Sequence, residues 1–425
     1  MARVAVFGLG YVGCVTAACL SRDGHEVIGV DIEPAKVAEV SAGLPPINEP
    51  GLDELLSMQV KVGRLRATTD VIEAVAASEM ALVAVGTPSA EDGSISTRAV
   101  EKVVLSIGEA IRAARKPYLL VVRSTLLPGV VENLLQPLLE KAVGRTVGVD
   151  LGLCNNPEFL REGSAVKDYF DPPFVLVGAD RREDGVAVLD LYSTINADKH
   201  LTDPRTAALV KYACNAFHAV KVSFANEIGS LSKAFGADGH KVMELVREDR
   251  KLNISQAYLR PGFAFGGSCL PKDLRAITRY AEQYALRLNL LASVLPSNES
   301  HLRRAMKLIR DLGRRRVGLV GLSFKAGTDD LRESPMVDLA EAIIGWGYDV
   351  KIYDPNVMLT RLRGRNLAYI DQHLPHLANL LVPKPAMLFS HAEILVLCTN
   401  VADDEDWVGQ FHGPVLDLRT DLARS

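Results

Sequence analysis

A cysteine stands close to a lysine and an aspartate in the segment Gly266-Gly267-Ser268-Cys269-Leu270-Pro271-Lys272-Asp273. The thiolate form of cysteine is a strong nucleophile, and a neighbouring cation increases the fraction of thiolate. Paired glycines let a ligand approach the sulfur closely, because they carry no side chain. A single cysteine is more often inert packing, but these neighbours favour Cys269 as a nucleophile.

A second group of residues fits a dinucleotide. Gly8-Leu9-Gly10-Tyr11-Val12-Gly13 follows a predicted strand and opens a predicted helix, and Asp31 ends the next strand. Gly8 permits a tight turn, Gly10 lets the backbone approach a pyrophosphate, and Gly13 allows close packing of helix on strand. Asp31 would accept hydrogen bonds from ribose hydroxyls and repel a 2′-phosphate, so NAD is the expected cofactor. The alternative, a glycine turn without a ligand, is disfavoured by the complete strand, helix and acid context.

Polar side chains follow other predicted strands. Thr87 and Thr125 each lie just after a strand end, and ligands of open α/β sheets lie along that carboxyl edge. Threonine is also common in ordinary turns, so each position alone is weak evidence for a ligand contact. Glu158 and Glu162 follow a further strand in NNPEFLREG and are candidates for a base or a ligand contact, against the alternative of ordinary exposed acids.

One long helix carries a polar face. The segment from Pro204 to Phe235-Gly236 has no internal proline, which predicts a helix of about 32 residues and roughly 48 Å. The polar positions fall within about 80° of one another and are Lys211, Asn215, His218 and Asn226, together with Val222. A solvated surface is the alternative, but asparagine is a mediocre helix former and unusual on such a face. Lysine and asparagine together can hold an oxyanion or orient a water.

The elements that must position these groups alternate in type. Strand signals at 3–7, 26–30, 80–85, 118–122 and 174–177 are separated by helical patterns, as in a parallel sheet wrapped by helices. They return at 316–320, 349–353, 394–398 and 415–418. The sequence predicts an N-terminal Rossmann-like NAD domain at 1–201, a central helical region at 202–300 whose long helix joins domains or subunits, and a C-terminal Rossmann-like domain at 301–425.

The C-terminal region contains half of a nucleotide-binding pattern. Gly321-Leu322-Ser323-Phe324-Lys325 follows a strand, and Arg332 lies shortly beyond it. Alone, this pattern is weak evidence for a nucleotide site, but Lys325 and Arg332 are suitable partners for phosphate.

Composition excludes several classes of protein. The 425 residues, 48% hydrophobic and 24% charged, predict a folded chain of two to four domains. A net charge of -4 provides no field that attracts nucleic acid. The first residues run straight into a strand pattern, without a charged region followed by a cleavable apolar stretch, and no apolar run approaches about 18 residues. We therefore expect a cytoplasmic protein without a leader or a membrane span. The six cysteines show no CxxC pair and no zinc spacing, and no metal is expected.

Together these motifs resemble the UDP-glucose/GDP-mannose dehydrogenase family of nucleotide-sugar 6-dehydrogenases. The resemblance covers nearly the whole chain and rests on FGLGYVG, INEPGL, VGTP, RSTLLPG, NNPEFLREG, KYACNAFHAVKVSFANEIG, GFAFGGSCLPKD and GLSFKAGTDDLRESP. Within the family, His218 and the run KLNIS at 251–255 are most similar to the members that act on GDP-mannose, which is the expected substrate.

The resemblance implies a four-electron oxidation of a C6 alcohol to a carboxylate with two NAD. Cys269 would trap the intermediate aldehyde as a thiohemiacetal, which a second oxidation converts to a thioester, because an aldehyde cannot donate a hydride until a nucleophile has added to it. Lys211 and Asn215 would stabilise oxyanions, Glu158 would assist the hydrolytic water, and Asp273 would support proton transfer. The sequence does not decide which of these roles belongs to Lys211, which to Glu158 and which to Asp273.

The resemblance also assigns ligand contacts by position. Contacts with NAD would come, besides the glycines, from Tyr11, Val12, Asp31, Lys36, Thr87, Thr125, Lys272 and Arg332. Contacts with the nucleotide sugar would come from Glu162, Lys211, Asn215, His218, Asn226, Tyr258, Arg260, Phe263, Gly266 and Lys325. It further implies that the central region 202–300 serves dimerisation and contributes to the active site, and that the C-terminal domain 301–425 binds the nucleotide sugar. The expected assembly is a homodimer or a higher homo-oligomer built on the long helix.

One departure and three competing interpretations remain. Ala257 stands where the GDP-mannose enzymes carry an aromatic residue, which removes apolar contact or stacking beside Tyr258. UDP-glucose or a UDP-N-acetylhexosamine is the nearest alternative substrate. A two-electron hydroxyacid-type dehydrogenase would need neither Cys269 nor a second α/β domain, and a non-catalytic nucleotide-sugar sensor would not need Cys269, Lys211 or Glu158.

Overall fold

Backbone contacts divide the chain into two units, Met1–His218 and Ala219–Ser425. The computed structural model describes residues 1–89, 94–259, 262–267, 269–324, 328–357, 364–401 and 405–419. The domain boundaries expected after residues 201 and 300 stay a prediction.

The first unit is built on an eight-stranded sheet. In chain order its strands are β1 (Arg3–Phe7), β2 (Glu26–Val30), β3 (Leu65–Thr68), β4 (Met80–Val83), β5 (Tyr118–Val122), β6 (Leu151–Asn155), β7 (Val175–Ala179) and β8 (Lys199–Thr202). They lie in the order β3-β2-β1-β4-β5-β6-β7-β8. The first six reproduce the Rossmann order, with the switch point between β1 and β4, where ligands of this fold bind.

Helices cover both faces of this sheet. They are α1 (Tyr11–Arg22), α2 (Pro34–Ser41), α3 (Leu52–Lys61), α4 (Val71–Ala77), α5 (Arg98–Ala114), α6 (Gln136–Val143) after a π-helical turn (Val131–Leu135), α7 (Ala165–Phe170) and α8 (Arg182–Asp190). Successive residues of β1 belong to opposite cores: Val4 and Val6 pack with α1, and Ala5 and Phe7 pack with α5. Burial on both faces explains why this strand is a continuous apolar run.

One strand pair departs from the predicted parallel sheet. β6 and β7 are antiparallel. The connection between them contains only α7, whose six residues span about 9 Å. Because β7 is antiparallel to β6, it begins at the carboxyl edge of the sheet, where β6 ends, and the chain reverses there.

The second unit contains a four-stranded parallel sheet. Its strands are β9 (Arg316–Val320), β10 (Asp349–Tyr353), β11 (Ile394–Leu397) and β12 (Val415–Asp417), in the order β10-β9-β11-β12. Its helices are α10 (Gly239–Glu248), α11 (Leu270–Gln283), α12 (Asn289–Asp311), α13 (Pro335–Gly345), α14 (Gly364–His373), α15 (Leu377–Leu380) and α16 (Pro385–His391), with a 3-10 turn (Glu405–Gln410).

The long helix α9 (Pro204–Ala234) has 31 residues and belongs to both units. Its length agrees with the prediction, and the expected α/β class with two Rossmann-like sheets and a long central helix is confirmed. Among the described residues, no helix combines the length and the apolar character needed to cross a membrane.

Candidate active site

The glycine turn after β1 has the shape that a pyrophosphate requires. Gly8 has a φ of 95°, and its N–H donates to the carbonyl oxygen of Val30 at 2.7 Å. A Cβ on Gly13 would lie 1.7 Å from the carbonyl oxygen of Gly8, whereas a Cβ on Gly10 would meet nothing within 4 Å. Gly13 therefore serves helix packing, and Gly10 leaves the start of α1 open to a ligand.

Asp31, which follows β2, holds this turn through hydrogen bonds to its carboxylate. Its buried carboxylate accepts the N–H of Leu9 at 2.7 Å and the N–H of Glu33 at 3.0 Å. Each carboxylate oxygen has a second lone pair, so ribose hydroxyls can still donate to it. Asp31 also lines a cavity of about 450 Å³ beside β1 and β2. Lys36, a predicted NAD contact, forms an ion pair with Glu33 at 3.2 Å.

The predicted residues of the carboxyl edge meet at one cavity of about 260 Å³. Its lining includes Gly10, Tyr11, Val12, Thr87, Thr125 and Glu158. The hydroxyl of Thr87 donates to the carbonyl oxygen of Thr125 at 3.0 Å, which joins the ends of β4 and β5. The structure thus brings the glycine turn, both threonines and one predicted acid to a single place.

A buried ion pair connects α9 to this cavity. The ammonium of Lys211 lies 2.9 Å from Oε1 of Glu158, and their side chains are only 8% and 11% exposed. The other oxygen of Glu158 accepts the N–H of Leu160 at 2.7 Å, and Lys211 also lies over the ring of Phe159 at 5.4 Å. The two residues that the sequence interprets as an acid or base and a cation are therefore in direct contact.

The other residues of the first unit that are predicted to contact the nucleotide sugar are exposed to solvent. Asn215 and His218 are exposed on α9, and Glu162 is exposed in the loop between β6 and α7. These side chains are available to a ligand.

Two functional candidates of the first unit escaped the sequence analysis. Glu49 is almost fully buried and accepts hydrogen bonds from Tyr11 and from the loop before α7. Burial would raise the pKa of Glu49, but these hydrogen bonds lower it on balance. Arg123 is buried beside the cavity and donates to Asn156 and Tyr192, both at 2.6 Å. Neither type of residue is normally buried, so the sequence contained no signal for them beyond the motifs INEPGL and RSTLLPG.

In the second unit, Cys269 occupies the N-terminal end of α11. It is exposed, and its carbonyl oxygen accepts the first helical hydrogen bond, from the N–H of Asp273 at 2.9 Å. The helix dipole favours negative charge at this end. The Asp273 carboxylate, 2.7 Å from the Lys272 ammonium, raises the pKa of Lys272, and the charge of Cys269 adds to that rise. Asp330 raises the pKa of Arg332 in the same way, again with a contribution from Cys269, so both cations are in electrostatic reach of the sulfur.

The backbone before Cys269 is held by groups that the sequence analysis missed. The side-chain amide of Asn298 on α12 accepts the N–H of Phe265 at 2.9 Å and donates to its carbonyl oxygen at 2.8 Å. Gly267 has a φ of 92° and donates to the carbonyl oxygen of Glu333 at 3.0 Å. A Cβ on Gly266 would lie 2.2 Å from that same oxygen. Glycine is therefore required at position 266 by close backbone packing and at position 267 by its positive φ.

The second sheet repeats the turn geometry of the first. Gly321 has a φ of 92° and donates to the carbonyl oxygen of Tyr353 at 2.9 Å, as Gly8 does to the residue before Asp31. Asp354 accepts the N–H groups of Leu322 and Ser323 at 2.9 and 3.2 Å. This supports a nucleotide-type turn at the end of β9.

The remaining predicted contacts fall in different environments. Asn226 and Tyr258 are exposed, and Phe263 and Ala257 are half-buried. Arg260 and Lys325 lie outside the described residues.

Known proteins match this chain along most of its length. The UDP-glucose/GDP-mannose dehydrogenase family matches through its NAD binding domain at residues 2–196, its central domain at 205–300 and its UDP binding domain at 318–403.

Individual relatives agree with these matches. The GDP-mannose 6-dehydrogenase of Pseudomonas putida is 48% identical over 395 residues, 93% of this chain and 90% of that protein. A UDP-glucose 6-dehydrogenase of Haloferax volcanii is 37% identical over 89% of each chain. The solved ternary complex of GDP-mannose dehydrogenase from Pseudomonas aeruginosa has a TM-score of 0.94 at 46% identity, and the match covers 98% of this chain and 96% of that chain.

Proposed function

The chain belongs to the UDP-glucose/GDP-mannose dehydrogenase family, and from this premise we propose that it oxidises C6 of GDP-mannose to the carboxylate with two NAD. The observation that carries the four-electron reaction is the exposed Cys269 at the start of α11, because a two-electron dehydrogenase needs no nucleophile. The choice of GDP-mannose is supported by the 48% identity to the Pseudomonas putida enzyme, against 37% to the Haloferax volcanii enzyme that acts on UDP-glucose.

NAD fits the first unit. The open backbone at Gly10 and the buried carboxylate of Asp31 suit a pyrophosphate and a ribose, and Tyr11, Thr87 and Thr125 line the adjoining cavity. When bound, NAD supplies the hydride acceptor for both oxidations. We assign no part in the chemistry to Gly8 or Gly13, which shape the turn.

The ion pair in the first unit is assigned to proton transfer and charge stabilisation. The Lys211 ammonium, held 2.9 Å from Glu158, would stabilise the negative oxygen of the thiohemiacetal together with the exposed amide of Asn215. Glu158 would accept a proton from the hydrolytic water.

Cys269 supplies the covalent step. The alcohol loses a hydride and a proton to give the aldehyde, and the sulfur then adds to the aldehyde carbon. The thiohemiacetal loses a second hydride and a proton to give a thioester. Water attacks the thioester carbon, the C–S bond breaks, and the thiol and the carboxylate are released. In total, one alcohol, two NAD and one water give one carboxylate, two NADH and three protons.

Asp273 and Lys272 would support proton movement near the thiol, since they form an ion pair within one turn of it. Because catalysis requires Cys269 in its reduced form at the start of each cycle, a reducing cytoplasmic location is part of the same proposal.

A homodimer through the central helical region is also part of the proposal. α10 has apolar residues at helical spacing, at positions 242, 243, 245 and 246, but none of them is buried, which is unusual for a helix of a globular protein. Large apolar side chains are also exposed in the segments of this chain around α10: Val220, Val222, Phe235, Leu245, Leu252, Ile254 and Leu259. Exposed apolar surface of this extent is typical of an interface between subunits.

The test is the stoichiometry of NADH. Purified protein is incubated with GDP-mannose and excess NAD, and the NADH formed per sugar consumed is counted for the wild type, for Cys269→Ser and for Cys214→Ser. We expect two NADH per sugar from the wild type and from the Cys214 control, which changes a half-buried thiol on α9. Cys269→Ser is expected to fail in the second oxidation.

The alternatives give different results. One NADH per sugar from the wild type would contradict the four-electron reaction. Turnover of UDP-glucose or a UDP-N-acetylhexosamine, without turnover of GDP-mannose, would keep the mechanism and reject the substrate. Binding of NAD and sugar without any NADH would indicate a sensor.

A further inference from the structure

One buried carboxylate joins three distant parts of the first unit. Glu49 lies between α2 and α3 and is only 1% exposed. Its Oε2 accepts the N–H of Gly163 at 2.8 Å and the hydroxyl of Tyr11. Its Oε1 accepts the N–H of Ala165 at 2.7 Å. Among the described residues, no cation lies within ion-pair distance of it, so its charge is stabilised by these hydrogen-bond donors.

The donors belong to the two ligand-binding segments of the unit. Tyr11 is the first residue of α1 and follows Gly10, where the backbone is open to a pyrophosphate. Gly163 follows Glu162, the predicted sugar contact, and Ala165 begins α7. The N–H of Gly163 also donates to the Tyr11 hydroxyl at 3.0 Å. The carboxylate therefore connects the cofactor turn directly to the loop that carries Glu158 and Glu162.

We propose that Glu49 is a positioning residue for both ligands, holding the glycine turn and the loop 156–164 in one arrangement. The inference rests on the proposed function. Glu49 is too deeply buried to touch substrate or cofactor itself, and it lines neither of the two cavities beside the turn. Its effect passes through Tyr11 on one side and through Gly163 on the other.

The substitution Glu49→Gln isolates the role of the second oxygen. Glutamine keeps the size of the side chain but replaces one acceptor by an NH2 group. Whichever way the amide turns, either Ala165 or the pair Gly163 and Tyr11 then faces a donor instead of an acceptor. An unsatisfied buried donor is costly, so in either orientation the segment with Gly163 and Ala165 must move away from Glu49. The Tyr11 hydroxyl, which accepts the N–H of Gly163, is displaced with it, so both ligand segments are affected.

The expected result is weaker binding of both ligands without loss of chemistry. The dissociation constant of NADH, followed by its fluorescence, and the KM of NAD and of GDP-mannose should each rise about tenfold, which corresponds to about 1.4 kcal/mol. The kcat at saturation should stay within about twofold of the wild type, because no reacting group is changed. Tyr11→Phe should raise the NADH constant by a smaller factor, and the double variant should add little to Glu49→Gln.

Glu140→Gln is the matched control. Glu140 also accepts a backbone N–H, from Val147 at 2.8 Å, and the side-chain amide of Gln136 at 3.2 Å, but these partners belong to α6 and to the segment after it, not to the glycine turn or to the loop 156–164. It should leave all binding constants unchanged.

Three outcomes would overturn the inference. Lower stability of Glu49→Gln with unchanged binding constants would make Glu49 merely structural, and a fall in kcat with unchanged KM would make it part of the chemistry. If Glu49→Gln does not fold, unchanged NADH binding by Tyr11→Phe would reject the role. A wild type that does not oxidise GDP-mannose would reject the proposed function alone, since the NADH constant still tests Glu49.

Discussion

The buried pair of Lys211 and Glu158 permits a quantitative prediction. The charges are 2.9 Å apart with side chains 8% and 11% exposed, so solvent screens them little. Removing one partner of a buried pair costs about 3–5 kcal/mol, because the other charge stays buried without compensation. Lys211→Met, which keeps an unbranched side chain, should therefore lower the unfolding free energy of the first unit by about 3 kcal/mol.

The double variant separates lost attraction from lost packing. In Lys211→Met with Glu158→Gln no charge remains, so its cost should be smaller than the sum of the two single costs by about 2 kcal/mol. Arg279→Met is the exposed control. Arg279 and Glu282 are 2.7 Å apart but 76% and 64% exposed, and their loss should cost less than about 0.5 kcal/mol.

The assay must measure the unfolding of the first unit. The two tryptophans, Trp346 and Trp407, both lie in the second unit, so their fluorescence does not follow it. Hydrogen exchange of the amides of β5 and β6 measures opening of the correct sheet. A cost below about 1 kcal/mol for Lys211→Met, or single costs that simply add in the double variant, would refute the assumption of a desolvated pair.

Three further predictions concern other parts of the chain. Gly13→Ala should destabilise the first unit, because its Cβ would lie 1.7 Å from the Gly8 oxygen, whereas Gly10→Ala should keep thermal stability and lose NADH affinity; equal stability of both variants would contradict this assignment. Although burial opposes the shift, hydrogen bonds hold the pKa of Glu49 below its ordinary 4.5, so the unfolded chain takes up this proton first and stability falls as pH drops below 4.5. The unfolding free energy of Glu49→Gln, measured by urea unfolding, should fall less steeply with decreasing pH than that of the wild type. Parallel curves of unfolding free energy against pH would contradict this role of the Glu49 carboxylate. Leu245→Glu, at an exposed position of α10, should convert the dimer to monomer in analytical ultracentrifugation, and an unchanged mass would exclude α10 from the interface.

The local sequence predicted the elements with strong periodic signals. β1, β2, β5, β9 and β10 have the predicted bounds, and α9 ends within two residues of its predicted end. β3 and β8, with the sequences LRAT and KHLT, were missed. Edge and near-edge strands bury fewer side chains, and their sequences therefore carry less apolar signal.

The reversal at β7 was also beyond local analysis. It depends on how β7 pairs with β6 in the folded sheet, and it places the loop with Glu158 and Glu162 at the carboxyl edge. A strand signal contains no direction, so a parallel arrangement was the natural expectation.

The sequence by itself determined the chemistry that is available. Glycines at fixed spacing after a strand, an acid at the end of the next strand and a thiol beside glycines each have meaning within one short segment. These features identify a dinucleotide turn and a nucleophile, and the resemblance of the assembled motifs identified the family.

Only the tertiary structure decided which groups act on one another. Lys211 and Glu158 are 53 positions apart, and Glu49 reaches Gly163 across 114 positions. Whether an acid is solvated, paired with a cation or surrounded by N–H donors depends on burial and on neighbours from other elements. The folded chain creates those surroundings, and a single sequence read along its length does not contain them.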